Sequence, residues 1–120
     1  MPPANVAAVS KALDIMLEEP ERIEHLWEIS NYARMEFWSR GFEIGKSETP
    51  IIPLFVRNSE KAFYLCNRLL KDGVFVTPVI APAVPENDSL IRFALMATHT
   101  YEQVDEAIDK ITKAFKEAGI

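Results

Sequence analysis

Eight prolines are spread along the 120-residue chain, and several mark positions where regular elements are expected to begin or end. Proline has no N–H group and a fixed φ, so it interrupts helix interiors and central strands. Pro2 and Pro3 favour an extended start, Pro20 separates two helical patterns, and three prolines within residues 78–85 make one connection stiff and irregular. The sequence therefore predicts that helices and strands are interrupted at these positions.

Four stretches repeat apolar residues every three or four positions, which is the spacing of one helix face. The first runs from Val6 to Leu17, and the second begins at Glu21 and ends near Gly41. Proline followed by acidic residues suits a helix start, and glycine suits a helix end. The predicted apolar face of the second helix consists of Ile23, Leu26, Trp27, Ser30, Ala33, Phe37 and Trp38.

Two further helices have recognisable caps. Asn58 or Ser59 can cap the third helix, which Gly73 ends, and Thr100 with Gln103 forms a capping box at the start of the fourth. The third helix has the predicted apolar stripe Ala62, Phe63, Cys66, Leu69 and Leu70. The fourth has the stripe Val104, Ala107, Ile108, Ile111 and Phe115.

Three apolar runs between the helices predict strands: Ile51 to Val56, Val74 to Ile80, and Leu90 to Met96. Pro53 cannot donate a ladder hydrogen bond, so the first strand is expected at a sheet edge or with that position facing away from its neighbour. The order of elements predicts one α+β domain, with a small, largely antiparallel sheet of about three strands covered by helices. Residues 1–45 form its helical segment and residues 46–120 its α/β body.

Charge and cysteine content exclude several classes of protein. There are 13 basic and 18 acidic side chains, with no basic cluster of the kind that nucleic-acid binding requires. The single cysteine, Cys66, excludes an internal disulfide, and no Cys and His spacing fits a zinc site. No apolar run reaches the roughly 20 residues of a membrane helix, and no signal peptide is recognisable. We expect a soluble, cytoplasmic protein.

Several residues with reactive side chains have ordinary structural interpretations. Residues 41–47 resemble a phosphate-binding loop with one residue too few between the glycines, and a helix precedes them where a strand is needed. Lys46 in this loop has no context typical of a cofactor lysine. His25 and His99 have no identifiable partner, and a local role at the helix entrance is favoured for His99. Cys66 is expected in the core.

Arg92 differs from these residues because it lies within an apolar strand, directly after the proline-stiffened connection. Its planar guanidinium can hold a carboxylate through two parallel hydrogen bonds, and few acids in the sequence are placed to pair with it. The alternative is an exposed edge position with Arg92 facing water. The residues alone leave both interpretations open and suggest an anion-binding hypothesis.

Most of the chain resembles the C-terminal domain of the α-oxoamine synthases, pyridoxal-phosphate enzymes that join an amino acid to an acyl-CoA. The resemblance extends from the first residues, 1–5, to the final helix. It is carried by residues 49–53, 72–76, 82–85 and 90–100. Its most specific part is the proline turn, a spacer and then Arg92 followed by Ala97-Thr98-His99-Thr100. Serine palmitoyltransferases are the most similar members, with glycine C-acetyltransferases as the alternative. The implied fold is the small domain of fold-type I enzymes.

The resemblance implies that Arg92 binds the carboxylate of the amino-acid substrate, serine or glycine, and that Ala83 lines the substrate pocket. Some members have a second arginine before the proline turn, but residues 79–81 are apolar here. The family's cofactor lysine belongs to a large domain that precedes this region. The chain is therefore expected to be an inactive fragment without bound cofactor, taken from a full-length homodimer.

A competing hypothesis makes the chain an independent folding or interaction module without catalytic function. Trp27, Phe37 and Trp38 would then cover a surface shared with a partner. Exposed apolar area of this kind favours association.

Overall fold

The computed structural model describes all 120 residues, Met1 to Ile120. Seven elements follow one another: α1 (Pro3–Glu18), α2 (Glu21–Ser39), β1 (Ile51–Phe55), α3 (Ser59–Lys71), β2 (Thr77–Val79), β3 (Leu90–Ala94) and α4 (Tyr101–Glu117). The predicted order of helices and strands is confirmed.

The three strands form one antiparallel sheet in the order β1-β3-β2. β1 lies at an edge, one of the two placements that Pro53 allowed, and Pro53 is opposite Arg92 in the register. Arg92 is also opposite Thr77 of β2. The predicted α+β class with a small antiparallel sheet is confirmed, and β3 is its central strand.

β2 is shorter than predicted, because residues 74–76 diverge from β3. The N–H of Val74 donates to the carbonyl of Leu69 (2.8 Å), and the Lys110 ammonium donates to the carbonyl of Asp72 (2.7 Å). These bonds tie the segment to α3 and α4 instead of to the sheet. β3 likewise ends at Ala94, two residues before the predicted end.

The core lies between one face of the sheet and helices α2, α3 and α4. Ile52 and Leu54 of β1 and Ile91 of β3 are fully buried on this face, and the rings of Phe37 and Phe93 pack edge to face at 5.2 Å. Residues that alternate with these, such as Arg92, point to the opposite face, which no helix covers. The domain therefore has two layers and one open sheet face.

The buried face of α2 differs from the predicted one. Ile29, which the pattern omitted, is fully buried together with Ala33 and Phe37, because these three residues are four positions apart and pack toward the core. Trp27 and Trp38 are instead 43% and 72% exposed. The prediction that Trp27, Phe37 and Trp38 together cover a surface is therefore wrong for Phe37, which lies in the core.

The stripe of α3 is also rotated from the prediction. Ala62, Leu65 and Leu69 are fully buried, whereas Phe63 and Leu70 are about half exposed. In α4 the predicted residues pack as expected, with Ala107 only partly buried.

α1 is an amphipathic helix, as predicted, yet none of its residues is buried. Its residues Val6, Val9, Leu13, Met16 and Leu17 are exposed by half or more, and Ile15 is partly buried. None of the helices combines the length and hydropathy that crossing a membrane demands.

Candidate active site

A cavity of about 580 Å³ opens where residues 74–76 diverge from β3. Its walls come from this segment, from β3 and the residues after it, and from the first half of α4. Arg92, Ala94, His99, Gln103, Glu106 and Lys110 are among the residues that line it. The polar groups of the cavity therefore belong to segments that are far apart in the chain.

Arg92 places its guanidinium at this cavity from the central strand, on the sheet face that no helix covers. The side chain is exposed and makes no hydrogen bond or ion pair with any other residue. Arg92 is therefore not at a sheet edge, and no carboxylate of this chain occupies its planar fork. A guanidinium without a partner can bind a carboxylate through two parallel hydrogen bonds.

Arg92 is exceptional among the six arginines of the chain, because the other five all have partners. These are Arg22 with Glu19, Arg34 with Asn31 and the Thr49 carbonyl, Arg40 with Glu36 and Asp109, Arg57 with Glu43 and Asp88, and Arg68 with Asp72 and Glu117. Among the arginines, only Arg92 has a guanidinium without a partner in this chain.

His99 has its Nδ1 atom engaged by the N–H of Met96 (2.9 Å), directly before α4 begins. The bond gives His99 the local role at the helix entrance that the sequence favoured. Its carbonyl oxygen accepts a hydrogen bond from Nε2 of His25 (3.0 Å), which fixes the tautomer of His25 with a proton on that atom. The 74 residues between the two histidines explain why no sequence pattern indicated this contact.

Lys110 is the lysine at this cavity, and its ammonium is already bonded. It donates to Glu106 Oε1 (2.6 Å) as well as to the carbonyl of Asp72. Gln103 similarly uses Oε1 to accept the N–H of Thr100 (3.0 Å). Arg92 is thus the charged group of the cavity that remains without an internal partner.

Ala83 lies in the turn between β2 and β3, where it is exposed and donates its N–H to the carbonyl of Ile80 (3.0 Å). It is not among the residues that line the Arg92 cavity.

The loop that resembles a phosphate-binding loop connects α2 to β1, and no helix follows it. Gly45 within it has φ +62° and lies against the Phe55 ring, so its role is to allow a close turn. Lys46 in the same loop is exposed and does not line the Arg92 cavity. The helix N-terminus on which phosphate binding depends is therefore missing at this loop.

Cys66 lies on α3 and is partly buried against the core. Burial raises the pKa of its thiol to about 11, so the reactive thiolate is scarce at neutral pH. No group of three or more His, Cys, Asp or Glu side chains is placed to hold a metal ion.

Comparisons with known proteins agree with this architecture. Residues 1–111 match the family model "Aminotransferase class I and II". The chain is 53% identical over its whole length to a serine palmitoyltransferase of Sphingobacterium spiritivorum, and 43% identical over 99% of its length to an 8-amino-7-oxononanoate synthase of Symbiobacterium thermophilum. In each case it spans about 30% of the length of the curated relative.

A solved serine palmitoyltransferase from S. paucimobilis, with a bound PLP–myriocin aldimine, superposes with a TM-score of 0.90 at 25% identity. The match covers 99% of this chain and 30% of that structure. The chain belongs to the aminotransferase class I and II family and, within it, to the α-oxoamine synthases.

Proposed function

We propose that the chain is the C-terminal small domain of a pyridoxal-phosphate-dependent acyl-CoA:amino acid C-acyltransferase of the serine palmitoyltransferase type. In this proposal Arg92 binds the carboxylate of the amino-acid substrate. The 53% identity to a serine palmitoyltransferase over the whole chain supports the type of enzyme. The observation that carries the role of Arg92 is its free guanidinium at the 580 Å³ cavity.

The position of Arg92 suits the binding of a carboxylate in a fixed orientation. A central strand is the most constrained part of a small sheet, and residue 92 lies between Pro53 of β1 and Thr77 of β2. Two parallel hydrogen bonds from a guanidinium fix the plane of a bound carboxylate as well as its position. Holding the carboxylate in this way orients the bonds at the substrate Cα, which is a positioning contribution to the rate.

The residues of this chain do not fit a binding site for pyridoxal phosphate. Lys110 is the one lysine that lines the cavity, and its ammonium already donates to Glu106 and to the Asp72 carbonyl, so the cavity holds no lysine without an internal partner. The cofactor, which supplies the electron sink in enzymes of this kind, is in our proposal held by residues outside this chain. Activity would then belong to the full-length enzyme alone.

The remaining partners follow from the same proposal. They are serine as the amino acid, a long-chain acyl-CoA as the acyl donor, and a second copy of the full-length enzyme in a homodimer. The alternative within the family is a glycine C-acetyltransferase, with glycine and acetyl-CoA as substrates. Product analysis of the full-length enzyme with each pair of substrates distinguishes the two.

Substitution of Arg92 in the full-length enzyme tests the proposed role. Arg92→Ala removes the charged hydrogen bonds to the carboxylate, and we expect kcat/KM for serine to fall roughly 10- to 100-fold, with KM for the acyl-CoA changed much less. Arg92→Lys keeps the charge but loses the planar fork, so its loss should be intermediate. Steady-state kinetics at varied serine concentration measures the effect.

Unchanged KM and turnover for serine in Arg92→Ala would refute the role of Arg92. Arg40→Ala is a suitable comparison variant, because Arg40 is paired with Glu36 and Asp109 and lies outside the cavity. A loss of the same size in that variant would also argue against a specific role for Arg92.

A further inference from the structure

The hydrogen bonds of β3 leave one position of the central strand unpaired at the cavity. In an antiparallel pair, successive residues direct their N–H and C=O groups to alternate sides. At the ends of the β1–β3 ladder, Val56 N–H donates to the Ser89 carbonyl (2.9 Å) and Leu95 N–H to the Pro50 carbonyl (3.1 Å). Odd-numbered residues of β3 therefore bond toward β1, and Leu90, Arg92 and Ala94 direct their main-chain groups toward β2.

The main-chain groups of β3 that face β2 have partners both before and after Ala94 in the chain. Leu90 is opposite Val79 and Arg92 is opposite Thr77. The next pair would join Ala94 to Phe75, but no backbone hydrogen bond links them. Two residues further along, the N–H of Met96 is capped by Nδ1 of His99. The N–H and C=O of Ala94 thus form a single open position between Arg92 and His99, which we call the Ala94 rung.

The Ala94 rung is accessible and has two large apolar side chains beside it. Ala94 is exposed and lines the cavity together with Phe75 and Met96, which are 80% and 58% exposed. An unpaired strand edge of this kind accepts an extended segment that offers one carbonyl and one N–H group. A carboxylate offers acceptors only and leaves the Ala94 carbonyl without a donor.

We propose that the Ala94 rung binds an amide group in the extended arm of the acyl-thioester substrate. This proposal rests on the proposed acyltransferase function. The reaction forms a bond between the acyl carbon and the Cα of the amino acid whose carboxylate Arg92 holds. It breaks the thioester C–S bond, which releases the coenzyme A thiol, and, with serine, the Cα–carboxylate bond, which releases carbon dioxide. The thioester must therefore approach the same cavity. The arm that follows a coenzyme A thioester is flexible and carries secondary amides separated by methylene groups. One of its amides can donate to the Ala94 carbonyl and accept from the Ala94 N–H. Its methylene groups can pack against the Phe75 and Met96 side chains.

Ala94→Pro in the full-length enzyme tests this assignment, because proline removes the N–H without breaking the β1 ladder. Pro53 already occupies a position of the same type in β1, where the missing N–H would face away from β3. We expect KM for the acyl-CoA to rise roughly three- to tenfold, the effect of one lost hydrogen bond, with KM for serine unchanged. Ala94→Ser keeps the N–H and serves as the control. The increase in KM for the acyl-CoA must be larger in Ala94→Pro than in Ala94→Ser.

The two proposals fail in different ways. A rise in KM for serine alone in Ala94→Pro would show that the rung binds the amino acid and would overturn the acyl-arm assignment. Arg92→Ala tests the carboxylate site independently.

Hydrogen exchange provides a second measurement that needs no variant. A non-reactive thioether analogue of the acyl-CoA should slow exchange of the Ala94 amide in the wild-type enzyme, and unchanged exchange would overturn the assignment.

Discussion

Arg92 and Tyr32 show which properties of single residues can be read from a sequence. Arg92 could be selected because a charged residue within an apolar strand is unusual wherever the strand lies. That its guanidinium has no partner could not be predicted, because this depends on where all the acidic residues lie in the fold. Tyr32 gave no signal at all, since its partner Asp105 is 73 residues away.

The hydrogen bond from Tyr32 to Asp105 predicts a pH-dependent contribution to stability. The Tyr32 hydroxyl donates a hydrogen bond to the Asp105 carboxylate. This bond, with partial burial, raises the pKa of Tyr32 from 10.0 to about 12. Between these values the unfolded chain loses the tyrosine proton that the folded chain keeps. The contribution is therefore fully present below pH 10 and is lost as pH rises through about 12.

Tyr32→Phe isolates this contribution, because it removes the hydroxyl and keeps the ring. We expect wild type to be more stable than the variant at neutral pH, and the difference to shrink between pH 10 and 12. Urea unfolding of both proteins across this range measures it. A difference that does not vary with pH would contradict the assigned hydrogen bond.

The ends of helices were easier to predict than their buried faces, because caps are formed by neighbouring residues. Asn58 caps α3, and Gly41 and Gly73 follow α2 and α3 with φ of +81° and +86°, as the sequence indicated. Which face is buried depends on the elements packed against the helix. For this reason Trp27 and Phe63, which the patterns assigned to the apolar faces of their helices, are 43% and 47% exposed. Residues 74–76 were wrongly assigned to β2.

The capping box of α4 gives a test at the level of a single element. The Thr100 hydroxyl accepts the Gln103 N–H (3.2 Å), and the Gln103 side chain accepts the Thr100 N–H (3.0 Å). Thr100→Ala should lower the free energy of unfolding by about 1 kcal/mol, the usual cost of losing such a cap. Thr100→Ser retains the hydroxyl and should keep most of the stability that Thr100→Ala loses. Equal stability of Thr100→Ala and wild type would show that the cap is not needed.

At the scale of the whole molecule, the sequence predicted the order of the elements and the antiparallel sheet. It did not predict that helices cover only one face of the sheet, or that a cavity opens beside β3. Both features arise from contacts between distant segments, such as the bond between Lys110 and the Asp72 carbonyl. The open face carries Arg92, so the least predictable part of the fold is the part on which the proposed function depends.

Recognition of the substrate carboxylate by Arg92 is the central claim, and equilibrium binding tests it most directly. Dissociation constants of serine and of ethanolamine, which lacks the carboxylate, can be measured from cofactor absorbance in the wild-type and Arg92→Ala full-length enzymes. We expect wild type to bind serine at least roughly tenfold more tightly than ethanolamine, and Arg92→Ala to lose most of this preference. The same preference for serine in both enzymes would contradict the claim.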